Sequence, residues 1–168
     1  MSEVTSIELL FDDRTEAAIR AEWDRLAAVG LSSMAAHTSA SNRPHITVLV
    51  RPELADIAFS GAVARLPLAV RIGAPVLFGD GDRRVLARSV LAGAPLVQLH
   101  AEVHREAGPG SDAPHTAPDE WMPHVTLGRR MKLTDLPAAL RLIQPHDIVG
   151  TVTRLRRWDA ATARVIDL

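Results

Sequence analysis

The chain has 168 residues and 47% hydrophobic content, enough to bury one substantial core, and residues 1–168 read as a single domain. Nineteen basic against twenty acidic residues leave a formal charge of −1, which excludes a broad positive field for long-range capture of nucleic acid. No cysteine is present, so a disulfide framework, a thiol nucleophile and a thiolate metal site are excluded together.

In chain order, "VTSIELLF" reads as a strand. "RTEAAIRAEWDRLAAVG" follows as an amphipathic helix with Ile19, Trp23 and Leu26 on one stripe, Asp13 and Glu16 at its start and Gly30 as its stop. After a polar loop comes the strand "HITVLV", and then "PELADIAFSGAVARL", for which a helix is expected. "LAVRI", "PVLFG" and "RVLARSV" are short strand candidates punctuated by glycines. "PLVQLHAEVHREAG" is a helix with Pro95 at its start, Leu96, Leu99 and Val103 on one face, and Gly108 as terminator. A Pro-rich loop over 109–120 leads to the strand "HVTLGR", a short helix from about Thr134 to Ile143, and strands in "DIVGTVTRLRRW" and "ARVIDL". The opening "MSEVTSIELL" lacks a basic leader and no apolar run approaches the ~18 residues of a membrane span, so a soluble, cytoplasmic protein is the default expectation.

The two halves repeat one order: helix, glycine stop, polar loop, Pro-His-apolar-Thr strand. His45 lies 15 residues after Gly30, and His124 lies 16 after Gly108. This predicts an internal duplication with two lobes about a rough two-fold axis. Side chains alternate along a strand, so His45 and Thr47 share one face while Ile46 and Val48 enter the core. His124 and Thr126 are opposed in the same way by Val125 and Leu127. Such a pattern arises by chance in a chain of this length on the order of once in a thousand sequences, and twice far more rarely.

Brought to one cleft, two imidazoles and two hydroxyls suit phosphoester chemistry. One neutral imidazole takes a proton from the attacking oxygen, and one charged imidazole gives a proton to the departing oxygen. The hydroxyls of Thr47 and Thr126 hold the phosphate oxygens as charge develops. No metal and no cofactor is required by this scheme.

The pair "PHITV" and "PHVTL", together with "EWMPHVTLGR", resembles the signature of the two-histidine (2H) phosphoesterase superfamily, in its 2'-5' RNA ligase-like branch. The resemblance implies an α+β, bilobal fold: two pseudo-two-fold-related lobes of mainly antiparallel sheet, with outer helices around a central groove. It implies hydrolysis of 2',3'-cyclic phosphates on a small nucleotide or RNA end, with His45 as acid, His124 as base, Thr47 and Thr126 on the phosphate, and Arg129 as a cationic helper. Proton roles reverse with reaction direction. An RNA end-joining or RNA-processing protein and an inactive nucleotide-binding module of the same fold are the alternatives. One departure is "SIELLF", where Glu8 stands in place of the Arg-x-Phe pattern frequent in the branch.

Ideal alternation aims Arg129 away from Thr126, but Gly128 permits a bulge that returns it to the groove. Trp121 is a candidate substrate-binding residue by stacking on a base, with packing beneath the loop as the competing role. His100 and His104, four apart without an evident third ligand, read as helix-surface histidines, and no metal site is assigned. His37 and His115 are expected in groove-edge loops, and Arg154 with Arg156 on a solvated strand face. No membrane contact or protein partner is evident, and a monomer is expected.

Overall fold

The computed structural model describes residues 4–168. β1 (Thr5–Phe11) is buried at every position because it runs through the middle of a sheet with neighbours on both sides. α1 (Asp13–Ala28) is started by Asp12, whose carboxylate accepts from the Thr15 amide at 2.8 Å, and ends before Gly30 at φ 75°. The cap is thus one residue earlier than the acidic pair read from sequence. β2 (His45–Arg51) pairs antiparallel with β1.

The segment after β2 is largely irregular, in contrast to the helix expected there. Arg157 donates to the carbonyls of Leu54 and Ala55, acceptors that a helix would use internally. Only α2 (Ser60–Val63) forms, after Phe59 at φ 49°. β3 (Leu68–Phe78) is one strand with an irregularity between Ile72 and Pro75, where two short strands were expected. β4 (Arg83–Val90), α3 (Ala94–Ala107) and β5 (His124–Lys132) follow, with α3 closed by Gly108 at φ 67°. α4 (Leu136–Leu142), β6 (Ile148–Asp159) and β7 (Arg164–Asp167) complete the chain.

The sheet order is β2-β1-β6-β3-β4-β5, with β7 paired to β6, and every pairing is antiparallel. The order is symmetric about its centre. β2 and β5, at opposite ends, nevertheless approach each other, so the sheet is strongly curled with its two motif strands facing across the concave side. The lobes are therefore halves of one continuous sheet. The helices are exchanged between halves: α1 packs against β5 and β6, and α3 against β2 and β3. They cover the convex face, where Ile7, Leu9, Trp23, Leu26, Leu99 and Val103 form part of the core. Inside that core Arg88 forks onto Glu22 at 2.9 and 3.0 Å and donates to the carbonyls of Gly73, His146 and Gln144, so both buried charges are paired and bonded.

Candidate active site

Antiparallel pairing fixes which side chains line the concave face. Glu8 lies opposite Thr47 and Arg156, and Ser6 opposite Val50 and Trp158. All six line one groove of about 570 Å³, together with His45 from β2 and His124, Thr126 and Arg129 from β5. The side chains expected to converge do so; Trp121 is the exception.

Both motif strands carry a bulge three residues after the histidine. In β2, Glu8 pairs with Thr47 and Ile7 with Leu49, leaving Val48 as the extra residue. In β5, Ala87 pairs with Thr126 and Leu86 with Gly128, leaving Leu127 extra. The bulge reverses the alternation, so Val50 and Arg129, each five residues after its histidine, return to the groove. Gly128 is required for a further reason: a Cβ there would stand 2.4 Å from the Ser32 carbonyl oxygen. The Ser32 hydroxyl donates to the Arg129 carbonyl, fastening that loop to the bulge.

The imidazoles are held alike. His45 Nδ1 lies 2.7 Å from the Arg43 carbonyl and His124 Nδ1 lies 2.7 Å from the Met122 carbonyl. A carbonyl only accepts, so both Nδ1 atoms carry hydrogen and Nε2 is the atom left for chemistry. Behind the strands, Trp121 Nε1 donates to the Thr47 carbonyl at 2.9 Å and Trp23 Nε1 to the Thr126 carbonyl at 3.0 Å.

The environments of the two rings differ. His45 Nε2 lies 3.7 Å from the Glu8 carboxylate, which accepts from the Ser6 hydroxyl at 2.8 Å and from Arg156 Nε at 2.8 Å. Burial pushes the Glu8 carboxyl up, but His45, Arg156 and Ser6 outweigh it and hold the group below the usual carboxylate range. His124 packs against Phe78, ring centroids 4.4 Å apart. Burial lowers its pKa, the Met122 carbonyl opposes this, and the neighbouring His115 and His45 lower it further. His124 is thus biased toward the neutral form.

Trp121 is not a groove residue. Its ring stacks on His100, centroids 4.0 Å apart and planes 5° from parallel, beneath the loop. That occupied face corrects the base-stacking role expected of it. The indole in the groove is Trp158. His100 and His104 are 5% and 8% exposed and are not surface histidines. They face inward to the Thr116 and Val48 carbonyls at 2.9 and 3.2 Å, and His104 also meets Asp112 at 3.4 Å. Arg154 is exposed, but Arg156 is 4% exposed and bound to Glu8, which corrects the solvated face expected for it. His37 and His115 line the groove from the loops before each motif. Sequence reading missed the Glu8–Arg156 couple; the available signal was a carboxylate inside the apolar "SIELLF" strand.

Among the described residues no cluster of three His, Asp or Glu side chains is arranged to hold a metal. No helix among them is long and apolar enough to cross a membrane.

Residues 15–164 match the model of the 2'-5' RNA ligase superfamily, and the chain belongs to that family. Among solved structures it is similar to E. coli LigT complexed with NADP+, at 14% identity and TM-score 0.54, over 98% of this chain and 93% of that one. Kluyveromyces marxianus Usb1 is similar at 12% identity and TM-score 0.53, over 99% and 98%. A structure described as a phosphoesterase is similar at 15% identity and TM-score 0.53, over 99% and 95%. These likenesses establish the fold, an α+β arrangement shared with the two-histidine phosphoesterases. No curated protein matches the sequence.

Proposed function

We propose that the chain is a phosphoesterase that opens 2',3'-cyclic phosphates on nucleotides or RNA ends by two-histidine acid–base catalysis. The observation that supports this reading is the matched pair of strands, each with Nδ1 tied to the carbonyl two residues back and a hydroxyl two residues ahead, lining one groove. A cyclic phosphate between the strands meets His45 on one side and His124 on the other, in line for attack and departure. Thr47, Thr126 and Arg129 supply donors to its non-bridging oxygens. LigT has been crystallised with 3'-AMP, a nucleotide phosphate of the size this groove accommodates.

The test is chromatographic: purified protein is incubated with each 2',3'-cyclic nucleotide and the monophosphate product quantified. Turnover that falls at least about a hundredfold in both His45→Ala and His124→Ala supports the reading. Saturable binding without product from the wild type would point instead to an inactive nucleotide-binding module. Action on 2'-5' linked oligonucleotides alone would point to an RNA end-processing role.

A further inference from the structure

The pseudo-two-fold symmetry of the groove is broken at one place that matters chemically. Opposite Thr47 on the neighbouring strand stands Glu8; opposite Thr126 the equivalent residue is Ala87. One histidine therefore has a buried carboxylate 3.7 Å from its Nε2, whereas the other packs against the Phe78 ring and has no carboxylate at the equivalent strand position. Glu8 is held in place from both sides. Its Oε1 accepts from Ser6 and faces His45, while its Oε2 is taken by Arg156, which also donates to the Ser41 carbonyl.

We propose that Glu8 is a positioning residue that keeps the exchangeable proton on His45, and is thereby the group in this chain that sets the acid role for His45 and the base role for His124 that the family resemblance implies. The assignment rests on the phosphoesterase reading above. The titratable and charged groups that share the groove with His45 are Glu8 from β1, Arg156 from β6, His124 and Arg129 from β5, and His37 and His115 from the loops before the two motifs. Among the described residues Glu8 is the one anion that lines the groove. It does not itself donate a proton, because Ser6 and Arg156 bond both of its oxygens in the ionised form. His124, pressed against Phe78 and desolvated, is left neutral and ready to accept.

The step balances without a co-reactant. A water oxygen bonds to phosphorus as His124 Nε2 takes one of its protons. The bond from phosphorus to one ribose oxygen breaks, and that oxygen takes the proton from His45 Nε2. The products are a phosphomonoester and a free ribose hydroxyl, and solvent exchange returns each imidazole to its starting state.

Two measurements test this. The first follows the imidazole nitrogens of the wild type and of Glu8→Gln by 15N-resolved NMR between pH 5 and 9, and needs no turnover. In the wild type His45 should hold its proton to a higher pH than His124, and in Glu8→Gln that order should collapse. The reverse order in the wild type overturns the proposal even if the variant does not fold. The second is the pH profile of kcat/KM on a 2',3'-cyclic nucleotide. Glu8→Gln should cut kcat/KM roughly tenfold on the alkaline side of the profile, with the acid limb in place. An unchanged alkaline side, or movement of the acid limb alone, overturns the proposal. Should the wild type open no cyclic nucleotide, the phosphoesterase reading fails while the NMR comparison still decides where the proton resides.

Discussion

Trp23 and Thr126, 103 positions apart, are joined by a hydrogen bond from the indole N–H to the threonine carbonyl, and Trp121 makes the same bond to Thr47. In each motif strand the carbonyl of the residue just before the bulge accepts from an indole outside that strand. The two motif threonines are thus fixed through their backbones while their side chains remain in the groove.

Replacing either indole by phenylalanine keeps most of the packing and removes the donor. Trp23→Phe and Trp121→Phe should each cost about 1 kcal/mol of stability by urea denaturation. Their effect on turnover should fall mainly on kcat, several-fold, because the motif threonine loses register rather than the pocket losing contact area. A change confined to KM would show that these bonds do not position the threonines.

Gly128 admits the Ser32 carbonyl where a side chain would otherwise stand. Gly128→Ala places a methyl 2.4 Å from that backbone oxygen, which has no flexible tail to yield. A loss of roughly 1–3 kcal/mol is expected, with reduced activity as the bulge shifts and Arg129 leaves the groove. Wild-type stability and activity in Gly128→Ala would show that the bulge tolerates a Cβ and that the approach is not tight.

Arg129 is exposed, lines the groove and carries a charge that phosphate complements. Arg129→Ala should raise KM for a cyclic nucleotide about tenfold, the value of one charge-assisted hydrogen bond. Arg129→Lys should recover part of this, since the charge returns without the planar fork. An unchanged KM in Arg129→Ala at low ionic strength would remove Arg129 from the binding site.

What could be read before the fold was known was what alternation and spacing encode. His45 with Thr47, and His124 with Thr126, share a face by strand parity, and Gly128 announced the bulge. The helix ends at Gly30 and Gly108 followed from residues suited to positive φ. What escaped were relationships closed over long stretches of chain. Glu8 and Arg156 are 148 residues apart, and only the pairing of β1 with β6 makes them partners. His100 was misplaced on the surface because its helix stripe gives no sign that the loop at Thr116 and the ring of Trp121 cover it. The stretch after β2 has a helix-compatible composition, but Arg157 from the far end of the chain claims its carbonyls.

His100 should govern a window of acid sensitivity. Burial is the main cause that lowers its pKa from 6.5 to about 4; the Thr116 carbonyl opposes it, the nearby His104 adds to it and Asp112 opposes it. The unfolded chain takes up a proton at this residue as pH falls through 6.5, whereas the folded chain resists until about 4. The stability supplied by the neutral ring is therefore complete above pH 6.5 and is lost progressively down to pH 4, a total of about 3 kcal/mol. Glu8 acts in a lower range: its depressed carboxyl contributes above the unfolded carboxylate value and is lost as pH falls through its folded one. The two contributions separate in His100→Phe. That variant keeps a ring against Trp121, leaves the Thr116 carbonyl without its donor, and should be less stable at pH 7.5. Its urea midpoint should nevertheless change much less than that of the wild type between pH 6.5 and 4, while the steeper loss below pH 4 persists. Parallel curves for the two proteins across that window would mean that His100 protonates alike in the folded and unfolded chains, and that its burial carries no acid sensitivity.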